Sequence, residues 1–207
     1  MRIYLSSYRI GDETDRLREM TSGNVKTAFI PNAMDGYEDS EQRRMSIEQD
    51  LQELRGVGLV PEVIDLKDYF GKADELRGAL QGTGVIWVRG GNTFVLRQAM
   101  RLSGLDKILK ELWLEYSDLV YGGYSAGACV MCPTLKGIHL ADDPDKKPYG
   151  PEHETVWEGL GMVEYCIAPH YKSDHVESPL IDKTIAYYID NKILFKALKD
   201  GEVIILE

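Results

Sequence analysis

The segment Val120-Tyr121-Gly122-Gly123-Tyr124-Ser125-Ala126-Gly127-Ala128 constrains the fold more than any other part of the chain. It reads as a buried strand that turns sharply at a serine into a helix, the GxSxG form of a nucleophile elbow. A hydroxyl held exposed on so tight a turn needs neighbours with little or no side chain, because strand and helix approach closely there. Gly123, Ala126, Gly127 and Ala128 supply them. The helix that follows directs free backbone N–H groups and the positive end of its dipole to the place where an oxyanion forms in acyl transfer. The flanks agree: Leu105, Ile108, Leu109 and Leu112 make one helical stripe upstream, 118–121 is a short apolar strand, and 128–131 continues as a small, apolar helix. Ser125 is therefore the candidate attacking nucleophile.

The remaining sequence alternates in the same way. Strands are expected at 2–5, 25–31, 59–66 and 84–88, with helices at 12–20, 40–54 and 74–80; Ile47, Leu51 and Leu54 share one face of the second helix. Such alternation predicts a predominantly parallel sheet with helices on both faces and the active site at the carboxyl ends of the strands. Beyond the elbow, 136–155 is rich in Asp, Pro, Lys and Gly, and is expected to be an exposed loop that serves as a lid or carries a catalytic acid. An apolar strand over 161–168 leads to Pro169-His170. Ser178-Pro179 predicts a helix start whose buried face is Ile181, Ile185, Tyr188 and Ile189. The runs 193–198 and 202–205, separated by Asp200-Gly201, read as a hairpin. With no repeats or linker-like tracts, 1–207 is expected to be one domain.

Charge excludes some partners. With 34 acidic against 24 basic residues, the formal net charge of −10 opposes binding to phosphate backbones and anionic lipid surfaces. The N-terminal apolar run is too short for a signal-peptide core, and no later run approaches a membrane span, so a cytoplasmic protein is expected. Cys129 and Cys132 have CxxC spacing, but a zinc site lacks a second ligand pair and the three cysteines are an odd number; these two, with Cys166, read as buried structural thiols.

A serine nucleophile needs a base, and histidine suits that work near neutral pH. His170, just past a strand end, is favoured over His139, His153 and His175. The paired glycines of Val88-Arg89-Gly90-Gly91-Asn92-Thr93-Phe94 follow a buried strand and open a helix, which makes the N–H of Gly90 or Gly91, together with that of Ala126, a candidate oxyanion hole.

The order of GGNTF (90–94), the GxSAGA elbow (123–128), Cys132-Pro133-Thr134 and Pro169-His170 resembles the dipeptidase E group of serine peptidases, family S51, which is related to cyanophycinases. The resemblance implies a class I glutamine-amidotransferase-like three-layer sandwich, Ser125 as nucleophile, His170 as base, and no metal or organic cofactor. It implies hydrolysis of small peptides, Asp-X dipeptides among them; a monomer or small homo-oligomer is expected. For the acid it favours Asp142, in Asp142-Asp143-Pro144, with Asp143 and Asp200 as alternatives. Asn92 and Thr93, beside the glycines, are candidate substrate contacts. The segment 171–183 contains Lys172 and Lys183 but no arginine, so Lys172 is the candidate for an acidic substrate side chain and weaker selectivity is expected from its flexible point charge. Two other readings fit the elbow, a serine esterase or acyl hydrolase and a non-catalytic small-molecule-binding protein.

Overall fold

Apolar runs without polar alternation can be buried only between two layers, and here they form the middle of a sheet. The computed structural model describes residues 1–115 and 118–207. Strands β1 (Arg2–Ser6), β2 (Lys26–Ile30), β3 (Val60–Val63), β4 (Val85–Val88) and β5 (Val120–Tyr124) pair parallel in the order β3-β2-β4-β5-β1. Two short strands, β6 (Cys166–Ala168) and β7 (Phe195–Ala197), pair parallel in a second sheet, and β8 (Val203–Leu206) adds antiparallel to β1. Every residue of β4 and β5 is buried, whereas edge strand β3 carries Pro61 and leaves Val60 and Val63 exposed, as an edge strand tolerates a proline.

Helices α1 (Thr14–Met20) and α2 (Glu41–Gly56) cover one face, packing Leu17, Met20, Leu51 and Leu54 against Tyr4, Phe29 and Trp87. The other face is covered by α3 (Ala73–Ala79), α4 (Thr93–Ser103), α5 (Leu105–Glu115), α6 (Ala126–Cys129) and α7 (Ser178–Asp190), whose Leu76, Leu96, Ile108, Ala128 and Ile181 join Ile3, Ile30, Val88 and Tyr121. The fold is thus the predominantly parallel, helix-covered α/β sandwich expected. Ser40 caps α2 by accepting from Arg43 N at 3.1 Å, and Cys129, Cys132 and Cys166 are buried free thiols. Among the described residues, no helix is long and apolar enough to cross a membrane.

Three expectations are corrected. Ile189 is exposed, and the buried face of α7 is held by Ile181, Thr184 and Tyr188. The strand over 161–168 is confined to Cys166–Ala168. The runs flanking Asp200-Gly201 do not pair with each other: β7 belongs to the small sheet, β8 to the large one, and the turn passes the chain between them. Gly201 allows this at φ 96°, where a Cβ would stand 2.5 Å from the Asp12 carboxylate.

Candidate active site

Ser125 leaves β5 with φ 49° and ψ −113°, a conformation that costs a non-glycine residue about 1–3 kcal/mol and persists only where the surroundings impose it. They do so here by crowding. A Cβ on Gly127 would lie 2.2 Å from Val88 O, and one on Gly123 would lie 3.0 Å from the same atom. Ser125 N donates to Ser6 O at 3.3 Å. Beneath the serine, the Tyr124 hydroxyl donates to the buried Asp50 carboxylate at 2.8 Å, and Arg89 Nε lies 2.7 Å from the same carboxylate.

The turn after β4 lies against this elbow. A Cβ on Gly90 would stand 3.0 Å from Ser125 Cβ and 2.7 Å from the Tyr124 ring. Arg89 N donates to Ile30 O and Asn92 N to Ala33 O, pinning the turn at both ends, while Gly90 and Gly91 N–H have no acceptor among the described residues. Ala126, first in α6, has an N–H that no preceding helical turn can satisfy. These amides can receive an oxyanion.

His170 follows β6 at φ 59° and is 1% exposed. Its Nδ1 is 2.7 Å from Asp200 Oδ1. An ionised carboxylate only accepts, so the proton sits on Nδ1 and Nε2 keeps a lone pair. Ser7, at the end of β1, joins the two sheets: its hydroxyl accepts from His170 N at 2.7 Å and donates to Asp200 Oδ1 at 2.9 Å. Asp200 N in turn donates to Ser173 Oγ at 2.8 Å. Burial holds the His170 imidazole below its usual range, helped by His175 and opposed by Asp200.

The other expected residues have different surroundings. Asp142 is buried and accepts from Thr93 N at 2.9 Å; the free first-turn amide of α4 attracts its carboxylate, and burial, against the Thr93 hydrogen bonds, pushes it up to about 6. Among the described residues it has no hydrogen bond to His170, so the acid beside the histidine is Asp200. The Asp143 carboxylate accepts from Asp145 N within its own turn. Asn92 is 2% exposed and caps α4, accepting from Phe94 N and Val95 N while its amide donates to Asp143 O. Thr93 is buried beside it. Lys172 is exposed, its ammonium 5.1 Å from the Tyr171 ring centroid. The histidine's carboxylate partner is thus Asp200 in place of the favoured Asp142, and Asn92, Thr93 and Lys172 stand outside the residues that line the pocket around Ser125 and His170.

A pocket of about 190 Å³ brings Ser125, Gly90, Gly91 and His170 together, with Tyr8, Arg9, Tyr37, Arg89, His175 and Glu177 among its walls. No residue of 136–155 lines it, so that loop is not a lid on this pocket. His175 stacks on His170 with ring centroids 3.7 Å apart and planes 7° from parallel, and Tyr8 meets both rings edge-on. Burial, reinforced by Asp142 and Asp200, pushes Glu177 up to about 7. Of the groups that sequence reasoning missed, Ser7 had a signal, a polar residue directly after a buried N-terminal strand, and Glu177 lies in an irregular polar stretch without one; His175, ranked below His170 as a base, stands beside it in the pocket.

The sequence model of peptidase family S51 matches residues 6–207. An uncharacterized peptidase of Listeria innocua is 32% identical over 146 residues, 70% of this chain and 64% of that protein. A Drosophila melanogaster protein named "Probable alpha-aspartyl dipeptidase" is 32% identical over 151 residues, 72% of this chain and 54% of that one. The chain thus spans less than two thirds of either relative. A Listeria monocytogenes crystal structure carrying a peptidase E designation superposes with a TM-score of 0.80 at 24% identity, covering 99% of this chain and 93% of that one, a likeness of fold.

Proposed function

The chain is a member of peptidase family S51, and on that premise we propose that it hydrolyses small peptides through an acyl-enzyme on Ser125, with His170 as general base and Asp200 orienting it. The observation that carries this reading is the 2.7 Å contact from His170 Nδ1 to the Asp200 carboxylate in a pocket shared with Ser125 and the free amides of Gly90 and Gly91. In this scheme Ser125 Oγ attacks the scissile carbonyl and its proton passes to His170 Nε2. The oxyanion is met by Ala126 N–H and a glycine N–H of the β4 turn, and His170 then protonates the leaving amine. Water repeats the sequence to release the acyl group. Asp200 stabilises the imidazolium without itself taking the proton.

The size and charge of the pocket frame the substrate. Tyr8 and Tyr37 narrow an opening of about 190 Å³, which suits a dipeptide better than an extended chain. Arg9 and Arg89 line it in place of Lys172, and Arg89 Nη1 is buried without a hydrogen-bond partner among the described residues. An acidic side chain can meet that guanidinium, so we expect Asp-X dipeptides to be cleaved at least about tenfold faster than Ala-X, the effect of a partly desolvated charge pair.

Labelling by a fluorophosphonate probe and turnover of Asp-Leu, Ala-Leu and casein test the reading together. Ser125→Ala should abolish labelling and lower dipeptide turnover by about three to six orders of magnitude while the fold persists. A folded wild-type protein that neither labels nor turns over any dipeptide or acyl ester would sustain the binding-protein reading instead, and rapid digestion of casein would overturn the size limit.

A further inference from the structure

His170, His175 and Glu177 present three ligand atoms that all lie within 4.8 Å of one another, with His170 Nε2 and Glu177 Oε2 3.9 Å apart. The donor set is two imidazoles and one carboxylate, the kind that holds zinc with a position left open. His170 is also oriented as metal-binding histidines are: its Nδ1–H is committed to a carboxylate, which fixes the ring and turns the Nε2 lone pair away from Asp200. The local charge is favourable. Asp142 and Asp200 both act on Glu177 through space, while Arg9 is paired with Asp50 and Glu53 and Arg89 Nε with Asp50, which leaves Arg89 Nη1 buried without a hydrogen-bond partner among the described residues. We infer that His170, His175 and Glu177 form a binding site for a zinc-class divalent cation, and that an ion there occupies the lone pair with which His170 would accept the Ser125 proton.

Closing the site requires side-chain rotation at His175 and Glu177. Donor atoms around a tetrahedral zinc stand about 3.3 Å apart, and each imidazole lone pair lies in its ring plane, so the His175 ring must rotate out of its stack on His170 and Glu177 must swing inward for the three donors to converge. His175 Nδ1 accepts from Glu177 N at 3.2 Å. Ligation through His175 Nε2 moves the ring proton to Nδ1 and gives up that one long hydrogen bond, and a protonated Glu177 releases its proton to solvent. His175 lies in the irregular stretch between β6 and α7, and Glu177 is the residue at which α7 begins, its carbonyl accepting from Leu180 N and Ile181 N, so the rearrangement falls on the two side chains.

The inhibitory consequence rests on the serine chemistry proposed above; the binding itself does not, and two measurements separate them. Titration of ZnCl₂ into untagged, chelator-stripped protein by calorimetry should give one ion per chain. His175→Ala and Glu177→Gln should each weaken it at least about tenfold, the size of loss that disturbing a metal shell produces. Co²⁺ added to the wild type should give the visible absorption of a tetrahedral ion, which serves if a variant fails to fold. Dipeptide turnover by the wild type should fall with zinc and return with chelator, and each variant, read against its own zinc-free rate, should need at least about tenfold more zinc. Absence of zinc uptake, affinity unchanged in both variants, or binding that follows His139→Ala or His153→Ala would overturn the site. Zinc binding that follows His175 and Glu177 in a protein with no hydrolytic activity would sustain the site and overturn the serine chemistry.

Discussion

Two aspartates near the carboxyl edge of the sheet have opposite fates. Asp200 follows β7 on a turn that faces His170 and accepts hydrogen bonds from the Nδ1–H of the histidine and the hydroxyl of Ser7. Asp142, on the long loop after the elbow, is more deeply buried and points to the first amide of α4. Burial of a carboxylate is therefore no guide to its work here. What separates the two is the partner each finds: a side chain that can share a proton, or a helix end that needs a charge.

The largest effect that could break this contrast is on turnover. Asp200→Asn should lower kcat by about a thousand- to ten-thousandfold, because the wrong tautomer of His170 is then favoured, whereas Asp142→Asn, whose amide oxygen can still accept from Thr93 N, should stay within about threefold of wild type, as expected away from the reacting groups. Steady-state kinetics on one dipeptide decides it, and the reverse order would return the acid's role to Asp142. Ser7→Ala sharpens the contrast at an intermediate scale. It removes a hydrogen bond to Asp200 and the acceptor for His170 N, so kcat should fall by about five- to thirtyfold with KM little changed, the equivalent of about 1–2 kcal/mol.

The smallest effect concerns stability. A carboxyl whose folded pKa is raised contributes stability that is complete below its unfolded pKa and lost as pH rises through the folded one. For Asp142 that window runs from about 4 to about 6. Measured by urea unfolding, the stability of Asp142→Asn relative to wild type should therefore rise between pH 4 and pH 8 by about 1–3 kcal/mol. A difference independent of pH would mean that burial does not hold Asp142 apart from ordinary carboxylates.

Local requirements were legible in the sequence. The elbow and the β4 turn need small residues where backbones nearly touch, and Gly90, Gly123 and Gly127 announce that directly. The alternation of apolar strands and amphipathic helices likewise gave the layered parallel sheet. Asp200 was harder to weigh because its flanking strands read as a hairpin, and nothing local records that β7 and β8 join different sheets. Asn92 stands beside the oxyanion glycines and caps α4, and an asparagine before an apolar helix is itself the signature of a cap. His175 and Glu177 reach the pocket through an irregular stretch that has no periodicity to read.

In β6 and β7, Ala168 stands opposite Ala197 and both chains run the same way. His170 is the second residue past its mark and Asp200 the third past its own, so the reach between ring and carboxylate is counted out in residues, as on a ruler. Chain lengthened within 150–155 leaves that count untouched. One residue inserted between Ala197 and Asp200 advances the count and turns the carboxylate off the imidazole. Tolerance to insertion in this protein is thus set less by how exposed a segment is than by whether the ruler runs through it.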